Sequence, residues 1–92
     1  MIKSFAHKEL KRFFLKDDAS GIQPEHRQKL ASLLFLLDTA KKIEDMSGGG
    51  MDLHPLKHNL DGFWSVKVSA NRRLIFRFED GNAYIVDYLD YH

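Results

Sequence analysis

Apolar and polar residues alternate most regularly between Phe63 and Phe78. Trp64, Val66 and Val68 alternate with Ser65, Lys67 and Ser69, and Leu74, Phe76 and Phe78 alternate with Arg73, Ile75 and Arg77. A period of two predicts two β-strands joined at Ser69-Ala70-Asn71, one side-chain set buried and the other on a second face. That second face carries Lys67, Arg73 and Arg77, so it is basic. Ala83 to Leu89 predicts another strand, with Tyr84, Val86 and Tyr88 on one face. The turn before it, Asp80-Gly81-Asn82, has strong hairpin chemistry. Met51 to Leu56 predicts a short strand ending near Pro55, hence at an edge or a strand end. Ile2 to Phe5 is a further short strand candidate.

A period near four marks the helices. Leu10, Phe13 and Phe14 recur at i, i+3 and i+4 within Lys8 to Lys16, and Asp17-Asp18-Ala19-Ser20-Gly21 ends that run. Pro24 suits the first turn of a second helix, where its missing N–H costs nothing. Leu30, Leu33, Leu34 and Leu37 then form the apolar stripe of a helix from Pro24 to about Ala40, with Ala31 and Phe35 widening it. Lys41 to Met46 adds a turn with Ile43 and Met46 facing inward. Ser47-Gly48-Gly49-Gly50 reads as a loop, since no Gly-Lys-Ser/Thr follows and no strand precedes. The order is β, α, α and a four-stranded meander, hence a small α+β fold. Two helices pack on a mainly antiparallel sheet of four to five strands, in one domain over residues 1–92. The expected core includes Phe13, Leu33, Leu34, Leu37, Val66, Val68, Leu74 and Phe76.

Composition narrows the classes. A chain of 92 residues buries about 60–65% of its unfolded surface, so the core is adequate without being generous. No apolar run approaches the roughly 20 residues of a membrane span, and Met1 to Phe5 lacks the long apolar segment of a signal peptide. The absence of cysteine rules out disulfides and thiolate chemistry and suits a reducing cytoplasm. The net charge of +1 hides segregation. Met1 to Lys16 and Leu53 to Phe78 are basic, each with five Lys or Arg against one acid, whereas Asp17 to Asp52 and Glu79 to His92 are acidic. Basic segments that converge would attract nucleic acid even in a nearly neutral protein.

Candidate chemistry gathers at the ends of the meander. His54 and His58 have a helical metal-ligand spacing, but Pro55 between them argues against a helix, and no carboxylate or cysteine completes a set. No cofactor is expected. His54 and Lys57 stand at the entrance of the meander, and Asp90-Tyr91-His92 closes the chain. If these ends lie near Arg73, imidazoles, cations and an aromatic come together. RNA cleavage by a 2′-hydroxyl needs this set: one group takes the hydroxyl proton, another protonates the leaving 5′-oxygen, and cations stabilise the charged phosphorane. Imidazole titrates near neutrality and fills either proton-transfer role, and an aromatic holds a splayed base by stacking. Taken singly, each residue also has a structural reading, as a frayed terminal His or a packed strand Tyr.

Several pieces together resemble the HigB-type toxins of the RelE/ParE superfamily. They are Leu53-His54-Pro55-Leu56-Lys57, Gly62 to Val68, Asn71 to Phe76, Gly81-Asn82-Ala83-Tyr84 and the terminal Asp90-Tyr91-His92, with Met1 to Phe5 opening the chain. The resemblance covers essentially the whole chain. It implies a toxin of a type II toxin–antitoxin pair that enters the ribosomal A site and cuts mRNA there without a metal. It also implies a HigA-type helix-turn-helix antitoxin and contacts with mRNA and rRNA, for a cytoplasmic toxin that is monomeric when alone. By motif match, His54, Asp90, Tyr91 and His92 fall on the family's functional positions, and Lys57 and Arg73 on basic positions of its active face. His92 or His54 transfers the proton, Tyr91 orients a base and Asp90 orients His92 or the C-terminal segment. One departure is Arg72, where relatives often carry Trp. It adds a possible phosphate contact to those of Lys67, Arg73 and Arg77. The alternatives are a ParE-like inhibitor of DNA gyrase and a non-catalytic RNA-binding module. Because His92 ends the chain, the terminal segment is itself expected to form part of the active site.

Overall fold

The computed structural model describes residues 1–57 and 60–90. Helix α1 spans Lys8–Lys16 and α2 spans Arg27–Thr39. Strands β1 (His54–Pro55), β2 (Phe63–Lys67), β3 (Arg72–Glu79) and β4 (Asn82–Asp90) form an antiparallel sheet in the order β1-β2-β3-β4. This is the expected meander behind two helices.

Both helices begin and end for local reasons. The His7 ring precedes α1 and its Nδ1 accepts the Leu10 N–H at 3.1 Å, satisfying one of the donors a helix start leaves unpaired. Asp17 closes α1 in the left-handed conformation at φ 54°, and the Asp18 N–H bonds the Arg12 carbonyl, a side-chain-tolerated version of the glycine stop. Pro24 opens a single 3₁₀ turn, Pro24–His26, and the α-helix starts only at Arg27. The stripe of Leu30, Leu33, Leu34 and Leu37 is fully buried against the sheet. Phe35 is a correction: it lies outside the stripe and is 66% exposed. Ile43–Met46 forms a second 3₁₀ turn that buries Met46.

The sheet follows the alternation. Trp64, Val66, Leu74 and Phe76 share the helix-covered face, since Trp64 pairs with Phe76 and Val66 with Leu74. Val66, Leu74 and Phe76 are completely buried there, whereas Phe13 packs on the core only partly buried. The β3–β4 connection is the two-residue turn Asp80-Gly81, with φ 52° and 78°. Two positive φ values are those of a type I′ hairpin, for which Asp-Gly is a preferred pair. Met51–Leu56 yields only the two-residue strand β1. Ile2–Phe5 runs parallel to β4 through isolated bridges, Ile2 to Ala83 and Phe5 to Val86.

The strand β4 departs from strict alternation. Ile75 pairs with Asp87 but Arg77 pairs with Tyr84, so β4 holds one extra residue opposite Phe76. Ile85 takes up the difference at φ 56°, a conformation that is an outlier for a β-branched residue and costs about 1–3 kcal/mol. The segment alongside holds it: Ser4 Oγ accepts the Ile85 N–H at 2.9 Å, and the Ser4 carbonyl accepts the Val86 N–H at 3.1 Å. The bulge corrects the expected face of β4. Val86 and Tyr88 point into the core, but Tyr84 stands on the opposite face beside Arg77.

Candidate functional site

The helices leave one face of the sheet uncovered, and it carries the residues that alternation assigns to it. Cross-strand neighbours on an antiparallel sheet share a face. His54 pairs with Ser65, Ser65 with Ile75, Lys67 with Arg73, and Phe63 with Arg77. His54, Lys67, Arg73 and Arg77 therefore stand on one surface. Ser65 and Ile75 at its centre are themselves buried, at 1% and 4% exposure, so the floor of this face is packed.

Arg73 does not project freely as a surface cation would. Its side chain is 13% exposed and all three of its nitrogens are engaged. Nε donates to Ser65 Oγ, Nη1 to Asp52 Oδ2 at 3.2 Å, and Nη2 to the Asp52 carbonyl at 2.7 Å. The same Asp52 Oδ2 lies 3.5 Å from His54 Nε2. One carboxylate thus spans the guanidinium and the imidazole. The hydrogen bond from Arg73 holds the Asp52 carboxyl below its ordinary range, against some desolvation, and the charges of His54, Arg73 and Lys67 add to the lowering.

Two local features make this junction. Asp52 sits at φ 51°, in the left-handed region that Asp tolerates better than most residues. The preceding carbonyl, of Met51, accepts the Lys67 N–H at 2.7 Å, docking the segment beside β2 just before β1 begins. Sequence reading missed Asp52. Its signal was present but weak: an acid two residues after a glycine run and two residues before His54.

The remaining site candidates divide. Arg77 lies four residues along β3 from Arg73 on the same face, half exposed, with Nε 3.7 Å from Glu79 Oε2. Lys57 follows β1 and is exposed. Arg72 is on the other face, which corrects its expected place among the phosphate contacts. Being one residue from Arg73, it alternates to the helix side. Its guanidinium carbon stands 4.9 Å from the centre of the Tyr88 ring, a stacked cation–π geometry. The Tyr88 hydroxyl also hydrogen-bonds His26 Nδ1, and its ring makes a T-shaped contact with His7, centroids 5.7 Å apart. Burial pushes the Tyr88 phenol above its ordinary pKa, Glu25 and Asp90 add to the rise, and Arg72 opposes it. Asp90 ends β4 directly opposite Arg72. Tyr91 and His92 lie outside the described residues, as does His58.

The α+β fold, with two helices on one face of an antiparallel meander, recurs in solved structures. The YoeB–YefM complex from Staphylococcus aureus superposes with a TM-score of 0.66 at 22% identity, covering 100% of this chain and 95% of that one. YafQ from E. coli does so with a TM-score of 0.63 at 16% identity, covering 98% and 93%. Sequence comparison is more specific. The HigB-like toxin family model, described as the RelE-like toxin of type II toxin–antitoxin system HigB, matches residues 3–92. Endoribonuclease HigB from Proteus vulgaris is 44% identical over 92 residues, the whole of both chains. The chain belongs to the HigB-like family of RelE-like toxins of type II toxin–antitoxin systems. Its partner is accordingly an antitoxin.

Proposed function

We propose that this toxin is a ribosome-dependent endoribonuclease that cuts mRNA in the ribosomal A site, and that the uncovered face of the sheet is its active face. The observation that carries the reading is the Asp52 junction. It fixes Arg73 in a rigid fork beside His54, on the face the helices leave open. The Proteus vulgaris relative, named an endoribonuclease at 44% identity, supports the same reading.

In this account the 2′-hydroxyl next to the scissile bond attacks phosphorus and forms a 2′,3′-cyclic phosphate as the P–O5′ bond breaks. One histidine of the pair His54 and His92 takes the 2′-hydroxyl proton, and the other delivers a proton to the departing 5′-oxygen. Arg73 and Lys57 stabilise the charge on the phosphorane oxygens. A guanidinium has five N–H groups, and the contacts among the described residues engage three of Arg73's, leaving two for a phosphate. Asp52 is a positioning residue: it aims Arg73 and steadies His54. Lys67 and Arg77 draw the strand across the face, Tyr91 stacks on a base, and Asp90 orients His92. Arg72, stacked on Tyr88, serves the structure.

The ribosome enters because the described face is open, without walls to enclose an RNA; an rRNA-lined site supplies them. The partner is a HigA-type helix-turn-helix antitoxin and the compartment is the cytoplasm. The test compares purified protein on naked mRNA and on the same message bound to ribosomes. Efficient cutting only in the second case supports the reading. Equal cutting of both, or gyrase inhibition without message loss, defeats it.

A further inference from the structure

We propose that the hollow lined by Ser4, Arg77, Glu79, Tyr84 and Ile85 is a second nucleotide-binding subsite, which holds an unstacked base of the RNA away from the scissile bond. The inference rests on the nuclease reading of the same face and extends it along β3. Arg77 is four residues from Arg73 on that face, about 13 Å at the rise of a strand. That distance equals about four steps of a stacked single strand.

The hollow has a volume of about 290 Å³ and carries the chemistry a nucleotide needs. Arg77 and Tyr84 are directly paired across β3 and β4, so guanidinium and phenol ring stand side by side. Ile85 adds an exposed apolar side chain. A ring and an aliphatic wall suit a base, and the guanidinium suits the phosphate next to it. Glu79 is the one anion of the hollow, and it pairs with Arg77 at 3.7 Å with both side chains half exposed. Such surface pairs are weak, so a phosphate can take the guanidinium from it.

The bulge is what creates the hollow. Without the extra residue Tyr84 would alternate into the helix-covered face with Val86 and Tyr88. With it, Tyr84 turns to the RNA face, and Ile85 is held at φ 56° by Ser4. Bulges are over-represented beside active sites, where they re-aim a side chain, and an observed strained residue points to function in the same way.

The experiment uses the full-length toxin and a fluorescein-labelled single-stranded RNA of eight nucleotides with 2′-O-methyl groups, which block attack. Anisotropy is read across a salt series, with thermal melts of each variant. Tyr84→Ala should weaken binding about 5- to 150-fold, the worth of one base–aromatic stack, at an unchanged salt slope. Tyr84→Phe should bind as wild type. Arg77→Gln should lower the slope by about 0.7, one phosphate contact to a single strand. Ile85→Gly separates binding from folding, because glycine accepts this φ without strain. It should melt no lower than wild type and still bind more weakly. Wild-type affinity in both Tyr84→Ala and Ile85→Gly overturns the subsite, as does a wild-type protein that cuts ribosome-bound message but does not hold the oligonucleotide. A protein that binds as expected but cuts no message leaves the subsite standing and defeats the nuclease reading instead.

Discussion

Replacing Arg73 by Ala tests two roles with one residue. Ser65 Oγ is buried and accepts the Arg73 Nε–H. Removing the guanidinium leaves that acceptor in a packed floor without its donor, which costs about 1–3 kcal/mol. For a domain of this size each kcal/mol lowers Tm by about 4–8 °C. Even a protein with only about 5 kcal/mol of stability would remain mostly folded at assay temperature after this loss. A fall in cleavage therefore reports chemistry and not unfolding, and loss of one preorganised charge-stabilising donor is worth about 10²–10³-fold. The double replacement Ser65→Ala with Arg73→Met separates the roles, since replacing both partners by apolar groups is nearly neutral for stability. It should melt close to wild type and cut as poorly as Arg73→Ala. Thermal melts and message cleavage on ribosomes read both quantities. An Arg73→Ala protein with wild-type Tm and wild-type cleavage refutes the reasoning.

Three further outcomes are expected. The Asp52 carboxyl is held below its ordinary pKa mainly by the Arg73 hydrogen bond, so the unfolded chain binds its proton first as pH falls. Its contribution is fully present above about pH 4, the unfolded carboxylate value, and disappears as pH drops through the lower folded value. Urea midpoints of wild type and Asp52→Asn should thus differ at neutrality and converge in acid; a gap that widens in acid would contradict the pairing. Phe76→Ala should cost about 3–5 kcal/mol, because Phe76 is fully buried at the centre of the sheet, and a denaturant titration showing less than 1 kcal/mol would misplace the core. Gly81→Ala should lose roughly 1–2 kcal/mol, because Gly81 is at φ 78° and a Cβ there would come within 3.3 Å of the Lys41 carbonyl; an unchanged Tm would show that the turn relaxes.

What could be read from the residues was what depends on short-range period. The leucine stripe of α2, the alternation of β2 and β3 and the Asp-Gly turn each carry their signal within a few positions, and together they specify an α+β meander. Features that depend on distant partners were not legible. Ile85 carries no glycine signature, and its left-handed backbone is fixed by Ser4, 81 residues earlier. That one residue reverses the face of Tyr84. Phe35 matched the stripe by spacing but falls on its outer flank. The basic face was visible, and alternation alone separates Arg72 from Arg73, neighbours in sequence on opposite faces; counting Arg72 among the phosphate contacts ran against that pattern. The imidazole His54 was found by motif, whereas Asp52, which ties it to Arg73, needed the fold.

The central claim is that this face cleaves RNA by attack of a 2′-hydroxyl with histidine proton transfer. The most direct measurement is the chemistry of the ends made on ribosome-bound mRNA by wild type and by His54→Ala. The account predicts a 2′,3′-cyclic phosphate upstream and a 5′-hydroxyl downstream of each cut, with the rate in His54→Ala lower by about 10²–10⁴-fold. Products ending in 3′-hydroxyl and 5′-phosphate, or a His54→Ala protein cutting at the wild-type rate, would contradict it.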